Sequence, residues 1–314
     1  MRSDKQAGLS RRSFLKSMGM GAAGATLAST GLGVFALPVS AQGSAPAFGS
    51  FYRTNVGEFG LTVIQDRVGT IPSNVLAANA DPAELNALLE ANNLPLEQQK
   101  STFNVIVLDA GDRRVLFDTG NGAGAGLLVE TLGILGLPAD TITDVLISHI
   151  HPDHVGGASS DAGVSFPNAT YHIGETEKGF LDSGALANAT AKLQPVIDAG
   201  QLNVMPDSGE WLPGITAMPS FGHTPGHLAF MIANGDDALL SVVDAANNSI
   251  VSVARPDWAL GFDADPAAAA TARRALFEQA AVDGLKVFGY HFAFPGMGYI
   301  VTEGDGFRFV QVNG

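Results

Sequence analysis

Short apolar runs, separated by glycine, proline and charged turns, recur along the chain from about residue 50 onward. Several of these runs alternate apolar with polar side chains, and others are rich in β-branched residues, which are both patterns typical of strands. The run 144–147 is apolar after its first residue and short, so it predicts a buried strand. Together the patterns predict strands over 51–66, 104–108, 114–117, 144–147, 169–173, 215–219, 228–232, 238–243, 286–289, 299–302 and 307–312.

Helical signals lie between these strands. Asp265 and Pro266 form an N-cap followed by a first-turn proline, and Gly284 is a stop signal, so the sequence predicts a helix over 267–282. The segment 175–201 is predicted to be helical and connecting. Strands that alternate with helices indicate a layered fold of sheets and helices.

One segment, 70–102, does not show the alternating apolar and polar pattern of the predicted strands. Asp81–Pro82 repeats the cap signal, and Leu85, Leu88 and Leu89 follow at helical spacing. Such an apolar stripe is more typical of a packing surface, either in the core or between two copies in a homodimer. The alternative is a lid over a substrate pocket.

The amino-terminal region does not follow the strand pattern. Arg11 and Arg12 precede a Gly/Ala-rich apolar run over 18–37 and a small-residue site ending at Ala41. This order predicts a twin-arginine export signal over 1–41, which the export machinery recognises. The remaining residues, 42–314, are then expected to form a single periplasmic or secreted domain. An uncleaved membrane anchor is the alternative, and the many glycines disfavour it.

Charge and cysteine content narrow the function. Residues 1–41 hold five of the 17 Lys and Arg and one of the 31 Asp and Glu, so 42–314 carries 12 basic against 30 acidic residues, a formal charge of −18. Such acidity repels phosphate backbones and disfavours a nucleic-acid partner. There is no cysteine, so any metal ligand is expected to be His, Asp or Glu, and thiol nucleophiles are excluded.

The strongest chemical signal is a cluster of four candidate metal ligands within six residues. His149, His151, Asp153 and His154 follow the predicted strand 144–147 directly. In extended backbone His149 and His151 project to the same side and can bind one ion. Pro152 between the pairs turns the chain, so Asp153 and His154 can bind a second ion nearby. The cluster lies at the carboxyl end of a strand and precedes a Gly-Gly pair and an expected helix start, a position where such folds usually place their sites. The alternative is a polar loop whose histidines bind no common ion.

Further candidate ligands also follow predicted strands. Two histidines flank a Thr-Pro-Gly turn, and we assign His223 to metal and His227 to a supporting hydrogen bond. Asp244 directly follows the predicted strand 238–243. A carboxylate at a strand end is commonly a backbone cap, but beside two cations it can bridge both. His291 stands just past the strand 286–289, whereas His172, inside a strand, is left out of the site.

A glycine-rich stretch follows the strand 114–117. It lacks the lysine and the glycine spacing of a P-loop, so a nucleotide site is disfavoured. Asp118, at the start of this stretch, is better explained as a hydrogen-bond acceptor that orients a metal-bound histidine.

These ligand positions resemble the pattern of the metallo-β-lactamase superfamily over nearly all of 42–314. The resemblance implies an αβ/βα sandwich, in which two mixed sheets lie between outer helices. It also implies two divalent metal ions: His149, His151 and His223 on the first, Asp153, His154 and His291 on the second, and Asp244 bridging both.

Within the superfamily, the segment 290–298 is similar to the methyl parathion hydrolase branch, which adjoins the N-acyl-homoserine lactonases. Two departures stand out. Asn247 lies three residues after Asp244, where the lactonases place a tyrosine that polarises the substrate carbonyl. The cysteine ligand common in two-zinc β-lactamases has no counterpart in this chain.

The resemblance therefore predicts an exported hydrolase that attacks a small-molecule ester, lactone or organophosphate triester with a metal-bridging hydroxide, with Asp153 or Asp244 moving the proton. Zn²⁺ is the expected metal, and Mn²⁺, Co²⁺ and Fe²⁺ are alternatives. The rival hypotheses are a thioesterase of glyoxalase II type, a mononuclear iron sulfur dioxygenase, and a metal-binding protein without catalysis.

The pocket wall is expected to be largely aromatic, which favours an apolar, aryl or acyl substrate. Phe180 and Leu181 are further candidates to face this pocket. The predicted wall residues are Phe103, Trp211, Asn247, Trp258, Phe262, Phe292 and Phe294.

Overall fold

The computed structural model describes residues 48–312, so the predicted export signal at 1–41 lies outside the described residues. Within that range no helix is both long and apolar enough to cross a bilayer. The strands are β1 (Phe51–Val56), β2 (Phe59–Pro72), β3 (Gln98–Ala110), β4 (Arg113–Phe117), β5 (Asp144–Ile147), β6 (Ser159–Ser160), β7 (Gly163–Val164), β8 (Thr170–Gly174), β9 (Leu202–Met205), β10 (Gly209–Leu212), β11 (Ile215–Pro219), β12 (Leu228–Asn234), β13 (Asp237–Ser241), β14 (Lys286–Phe288), β15 (Met297–Glu303) and β16 (Gly306–Gln311).

The α-helices are α1 (Pro82–Ala91), α2 (Leu128–Ile134), α3 (Pro152–Val155), α4 (Glu175–Asp182), α5 (Ala187–Asp198), α6 (Val251–Ala254) and α7 (Pro266–Asp283). Short 3-10 turns cover Ser73–Ala77, Ala139–Thr141 and Val243–Ala245.

Two seven-stranded mixed sheets dominate the fold. The first has the order β1-β2-β3-β4-β5-β8-β9, and the second has the order β10-β11-β12-β13-β14-β15-β16. With helices on their outer faces, the sheets form the αβ/βα sandwich that the resemblance implied, so that prediction is confirmed.

Strand β12 shows how the sequence builds two cores at once. Leu228, Phe230 and Ile232 pack in the core between the sheets, whereas Ala229 and Met231 point the other way. The second set packs against the apolar face of α7. Because successive side chains of a strand face opposite sides, a continuous apolar run is the pattern that a strand covered on both faces requires.

The predicted helix caps are confirmed. Asp265 accepts hydrogen bonds from the first-turn amides of α7, and Gly284 ends that helix with φ of +63°. Asp81 caps α1 in the same way, through the amide of Ala83 at 2.7 Å. Within the chain, α1 buries Leu85 and Leu89 in a small third core.

Three details differ from the sequence prediction. The stretch 51–66 is not one strand, because a turn at Gly57 divides it into the hairpin β1–β2. Strands β2 and β3 extend into the segment 70–102, over 70–72 and 98–102, so both ends of that segment belong to the first sheet. The helix expected after the Gly-Gly pair instead begins at Pro152 and is only one turn long.

The topology brings particular strand ends together. Strand β5 lies parallel to and between β4 and β8, and β13 lies parallel to β14. The carboxyl ends of parallel neighbours meet at one edge of a sheet. The residues that follow these five strands, among them Asp118, His149, Asp244 and His291, therefore gather at two facing edges.

A buried carboxylate organises the glycine-rich stretch. Asp66 accepts hydrogen bonds from the backbone amides of Asn121, Leu127 and Leu128 at 2.8 Å each. A Cβ at Gly126 would lie 2.2 Å from its Oδ1, so the loop needs glycine there to approach the carboxylate. The stretch thus serves the fold by wrapping an acidic side chain, not a phosphate.

We predict that Asp66→Ala lowers the free energy of unfolding by about 3 kcal/mol, because several buried amides lose their acceptor. Asp112→Ala, at an exposed turn, is the matched control and should change it by less than about 0.5 kcal/mol. Urea denaturation followed by circular dichroism measures both. Equal effects of the two substitutions would contradict this role for Asp66.

Candidate metal centre

Three imidazoles converge at the carboxyl end of β5. His149 Nε2 lies 3.0 Å from His151 Nδ1, and His223 Nε2 lies 2.9 Å from the same atom. His149 and His151 come from the loop after β5, and His223 comes from the loop between β11 and β12. These three residues, called here the first ligand group, can hold one metal ion together.

A second ligand group lies beside the first. Asp153 Oδ2 is 3.6 Å from His154 Nε2 and 3.4 Å from His291 Nε2. Asp153 and His154 lie on α3, where Pro152 has turned the chain away from His151, and His291 follows β14. This group also satisfies the spacing of a metal site.

Asp244 lies between the two ligand groups. Its Oδ2 is 3.4 Å from His223 Nε2 and 3.2 Å from His291 Nε2, and its Oδ1 is 3.3 Å from His154 Nε2. The preceding residue, Val243, has φ of +47°, which is costly for a β-branched side chain. The backbone is therefore strained at Val243, directly before the carboxylate that lies between the two ligand groups.

The side chains fit divalent cations. Nitrogens bound to one tetrahedral Zn²⁺ at about 2.0 Å lie about 3.3 Å apart, close to the spacing in the first ligand group. Among the described residues, buried His154 Nε2 and Asp244 Oδ1 have no hydrogen-bond partner. Unpartnered buried polar atoms are costly, and a cation between them would satisfy both. The His and Asp donor set is one that zinc commonly takes.

Charge explains the protonation of the cluster. Burial lowers the pKa of His149 well below its ordinary value, and it lowers the pKa of His151 to about 4 with help from the charge of His223. Both are therefore neutral donors at pH 7. Burial also opposes protonation of His154 and His291, but nearby Asp244 outweighs it, so the pKa of His154 is raised well above 6.5 and that of His291 to about 9.

The carboxylates show the reverse effect. Burial alone would raise the pKa of Asp153, but the charges of His154 and His291 lower it to about 2. The pKa of Asp244 is likewise held well below its ordinary range against burial, chiefly by His291 and His154. Both carboxylates are therefore ionised at neutral pH. Their field favours positive charge, which protons or metal cations can supply.

The other ring nitrogen of several ligands is held by a buried partner. His154 Nδ1 donates to Asp118 Oδ2 at 2.8 Å, in the arrangement that the sequence predicted for Asp118. His223 Nδ1 donates to Asp263 at 3.0 Å, and His291 Nδ1 donates to the carbonyl of Thr102 at 3.0 Å. Such bonds fix the tautomer and orientation of a metal-binding imidazole.

His227 lies beside the ligand groups rather than within them. Its Nδ1 donates to the carbonyl of Ser220 at 3.0 Å, and its Nε2 accepts from the backbone amide of Asp244 at 3.1 Å. Burial lowers the pKa of His227 to about 3, so the ring is neutral and can act as this acceptor. His227 thus positions the backbone of the shared carboxylate.

A cavity of about 460 Å³ opens onto both ligand groups. Phe103, Asn247 and Phe262 line it, as the sequence predicted, together with Ser101 and the β2 residues 70–72, which belong to the segment 70–102 for which a lid over the pocket was the alternative. Asn247 Nδ2 donates to Asp244 Oδ2 at 2.9 Å. The described residues around this cavity include no Lys or Arg.

Both tryptophans predicted for the pocket wall lie elsewhere. Trp211 packs against Phe230 in the core between the sheets, and its indole N–H donates to the carbonyl of Pro206 at 2.8 Å. Trp258 borders a separate cavity next to α1, with the guanidinium of Arg255 over its ring. Neither tryptophan lines the cavity at the ligand groups.

The aromatic residues flanking Ala293 also face away from the cavity. Phe292, in the turn after β14, is fully buried against Phe309 on the α7 side of the second sheet. Phe294 and Phe180 pack at the margin of the largest hydrophobic core, in which Leu181 is buried. Aromatic character alone therefore misassigned these positions.

Two buried acids near the ligands were missed from the sequence. Asp263 is fully buried, and it accepts from the Leu260 amide at 2.9 Å and from Arg273 at 3.4 Å in addition to His223. Glu177 lies under the loops that carry the first ligand group. In sequence, Asp263 is one of several acids before a helix and Glu177 is a first-turn acid, so neither carries a distinguishing signal.

Comparison with known proteins identifies the family. The profile of the Metallo-beta-lactamase superfamily matches residues 103–291, which is more than half of the chain. The atrochrysone carboxyl ACP thioesterase of Passalora fulva is 31% identical over 133 residues, covering 41% of this chain and 33% of that protein. The N-acyl homoserine lactonase of Bacillus cereus is 25% identical over 122 residues, covering 38% of this chain and 44% of that protein. The matches thus span less than half the length of either relative.

Solved structures share the fold over most of the chain. AidC, a dizinc quorum-quenching lactonase, superposes with a TM-score of 0.78 at 24% identity, covering 85% of this chain and 98% of its own. The hydrolase AbOPH of the beta lactamase superfamily gives a TM-score of 0.78 at 22% identity, covering 86% and 99%. These structures share the fold, and the profile match over more than half of the chain shows that the chain belongs to the metallo-β-lactamase superfamily.

Proposed function

We propose that this protein is a hydrolase that uses two divalent metal ions, in the first instance Zn²⁺, to cleave an uncharged ester, lactone or phosphotriester. The observation that carries this proposal is the pair of ligand groups joined by Asp244 at the floor of a cavity whose described lining includes no Lys or Arg. When bound, the two cations would supply Lewis acidity toward water and toward a carbonyl or phosphoryl oxygen.

The protein's own residues provide the proton acceptor. Asp153 borders the cavity, and its side chain is 25% exposed, whereas that of Asp244 is only 3% exposed. A proton leaving the reacting water can therefore reach Asp153 Oδ atoms from the cavity, while Asp244 stays surrounded by imidazoles. We assign proton transfer to Asp153 and the joining of the two metal sites to Asp244.

The cavity wall favours neutral and partly apolar substrates. Phe103, Phe262 and Ile71 offer apolar surface to an acyl or aryl group. Since the described lining includes no Lys or Arg, a substrate carboxylate remote from the metal ions would find no cationic Lys or Arg side chain to pair with in the cavity wall. This disfavours glutathione thioesters, which the glyoxalase II hypothesis requires.

Asn247 has a role different from a carbonyl-polarising tyrosine. One N–H of its amide donates to Asp244 Oδ2. We propose that Asn247 orients the shared carboxylate.

Two relatives support acyl-bond hydrolysis. One is named as a lactonase and the other as an ACP thioesterase, so a thioester of a neutral acyl group is the second candidate substrate. A mononuclear iron dioxygenase accounts less well for the structure, because Asp153, His154 and His291 form a complete second ligand group. We further propose that the twin-arginine signal delivers the enzyme to the periplasm or the medium, where its partners are small molecules.

A substrate panel tests the proposal. Protein stripped with chelator and reloaded with Zn²⁺ is assayed on an aryl ester, an N-acyl homoserine lactone, an aryl dialkyl phosphotriester and S-lactoylglutathione. A matched pair, an aryl butyrate and an aryl hemisuccinate, isolates the effect of substrate charge. We expect hydrolysis of at least one neutral substrate, loss of turnover after chelation, and kcat/KM at least about tenfold higher for the butyrate.

Protein that holds two ions and hydrolyses nothing on this panel would support the hypothesis of a metal-binding protein without catalysis. A preference for the hemisuccinate or for S-lactoylglutathione would instead contradict the proposed substrate class.

We predict that Asp153→Asn lowers occupancy of the second ligand group and reduces kcat/KM by at least about 100-fold, because an amide is a weaker ligand and a poorer proton acceptor. Metal content per chain after dialysis and kcat/KM are the readouts, and circular dichroism should be unchanged. Asp161→Asn, at an exposed turn, serves as the control. Two retained ions with normal turnover would show that Asp153 has neither role.

We predict that His223→Gln reduces activity at least about tenfold more than His227→Gln does. The first substitution removes a nitrogen of the first ligand group, whereas a glutamine at 227 can still bond either Ser220 or the Asp244 amide. Metal content and kcat/KM of the two variants, measured side by side, give the ranking. The opposite ranking would mean that the two assignments must be exchanged.

A further inference from the structure

Glu177 joins the two loops that carry the first ligand group. Its side chain is fully buried at the start of α4. Oε1 accepts from the backbone amide of Ile150 at 2.8 Å, and Oε2 accepts from Thr224 Oγ1 at 2.7 Å and from the Gly226 amide at 3.0 Å. One carboxylate thus receives three hydrogen bonds from two segments that are far apart in sequence.

The positions of these donors relate Glu177 to the first ligand group. Ile150 lies between His149 and His151, and Thr224 directly follows His223. Each of the three histidines in that group is therefore adjacent in sequence to a residue that donates a hydrogen bond to Glu177. Within the second group, His291 lies on a different segment, which none of these bonds reaches.

The fold leaves little freedom at this contact. Strand β8, which leads into α4, pairs in parallel with β5, which leads into His149, so both chains leave the sheet at the same edge. A Cβ at Gly226 would lie 2.2 Å from the backbone nitrogen of Glu177, so the loop rests directly on the helix start. Burial raises the pKa of the Glu177 carboxyl, while its hydrogen bonds from Thr224, Ile150 and Gly226 favour the carboxylate.

We propose that Glu177 is a positioning residue that sets the distance between the two loops and thereby the affinity of the first ligand group for its metal ion. The inference rests on the proposed function, since it presupposes that both groups bind metal. A carboxylate is needed because only it presents acceptor lone pairs to donors on both oxygens, whereas an amide turns an N–H₂ toward one of the loops.

Stepwise Co²⁺ binding tests this role without reference to turnover. Chelator competition, followed by the visible spectrum of bound Co²⁺, gives two dissociation constants for the whole protein. Asp153→Asn identifies the step that belongs to the second ligand group. We expect Glu177→Gln to weaken the first-group step by about 10- to 100-fold and to leave the other step within about threefold.

Two further variants keep the result interpretable. Glu175→Gln changes an exposed acid on the same helix turn and should alter neither step. Thr224→Val removes a single donor to Oε2 at constant shape, and it should weaken the first-group step by a smaller factor, which tests the idea even where Glu177→Gln fails to fold.

The outcomes separate this inference from the proposed function. Wild-type affinities in Glu177→Gln, or equal weakening of both steps, would overturn the positioning role. A selective loss at the first group in a protein that hydrolyses no panel substrate would support the role and contradict the proposed hydrolase. A wild-type protein that binds no Co²⁺ pair would overturn both.

Discussion

The burial of Asp244 among imidazoles is the constraint on which the site depends. Its carboxylate has ring nitrogens of His154, His223 and His291 within 3.4 Å, and it is almost fully removed from solvent. An isolated carboxylate in that environment would be unfavourable by several kcal/mol. Positive charge must therefore be close by, and the convergence of six further donor side chains supports the proposed pair of divalent cations.

The sandwich supplies this arrangement through strand ends. Parallel neighbours in each sheet release their chains at a common edge, so ligands far apart in sequence start from adjacent positions. Buried acids then fix the ligands: Asp118 orients His154, Asp263 orients His223, and Glu177 holds the backbone of two loops. Arg273 is fully buried and donates hydrogen bonds to both Asp263 and the carbonyl of Ala245, so it connects the Asp263 side chain to the segment that carries Asp244.

Local signals explain what the sequence could predict. The caps Asp81 and Asp265 depend only on neighbouring residues, and the strand 144–147 is set by its own apolar run. The ligand spacing from His149 to His154 has a local geometric reason as well, and the family resemblance supplied the distant ligands. These parts of the fold and the site follow from short-range geometry or from a known pattern.

Long-range packing explains what the sequence could not predict. Two apolar cores and the cavity all accept aromatic side chains, so hydrophobicity did not show that Phe103 faces the cavity while Phe292 faces α7. Asp263 and Glu177 resemble ordinary helix-start acids until the fold brings His223 and Ile150 to them. The lid alternative for 70–102 placed that segment at the pocket, but it did not predict that 70–72 would line the cavity as a continuation of β2 past the expected end of its strand.

We propose that the seven side chains bind two metal ions around Asp244. Anomalous diffraction from crystals of the Zn²⁺-loaded protein, recorded on both sides of the zinc absorption edge, tests it most directly. We predict two peaks, one among His149, His151 and His223 and one among Asp153, His154 and His291, with Asp244 between them. A single peak, or peaks outside these two groups, would contradict the account.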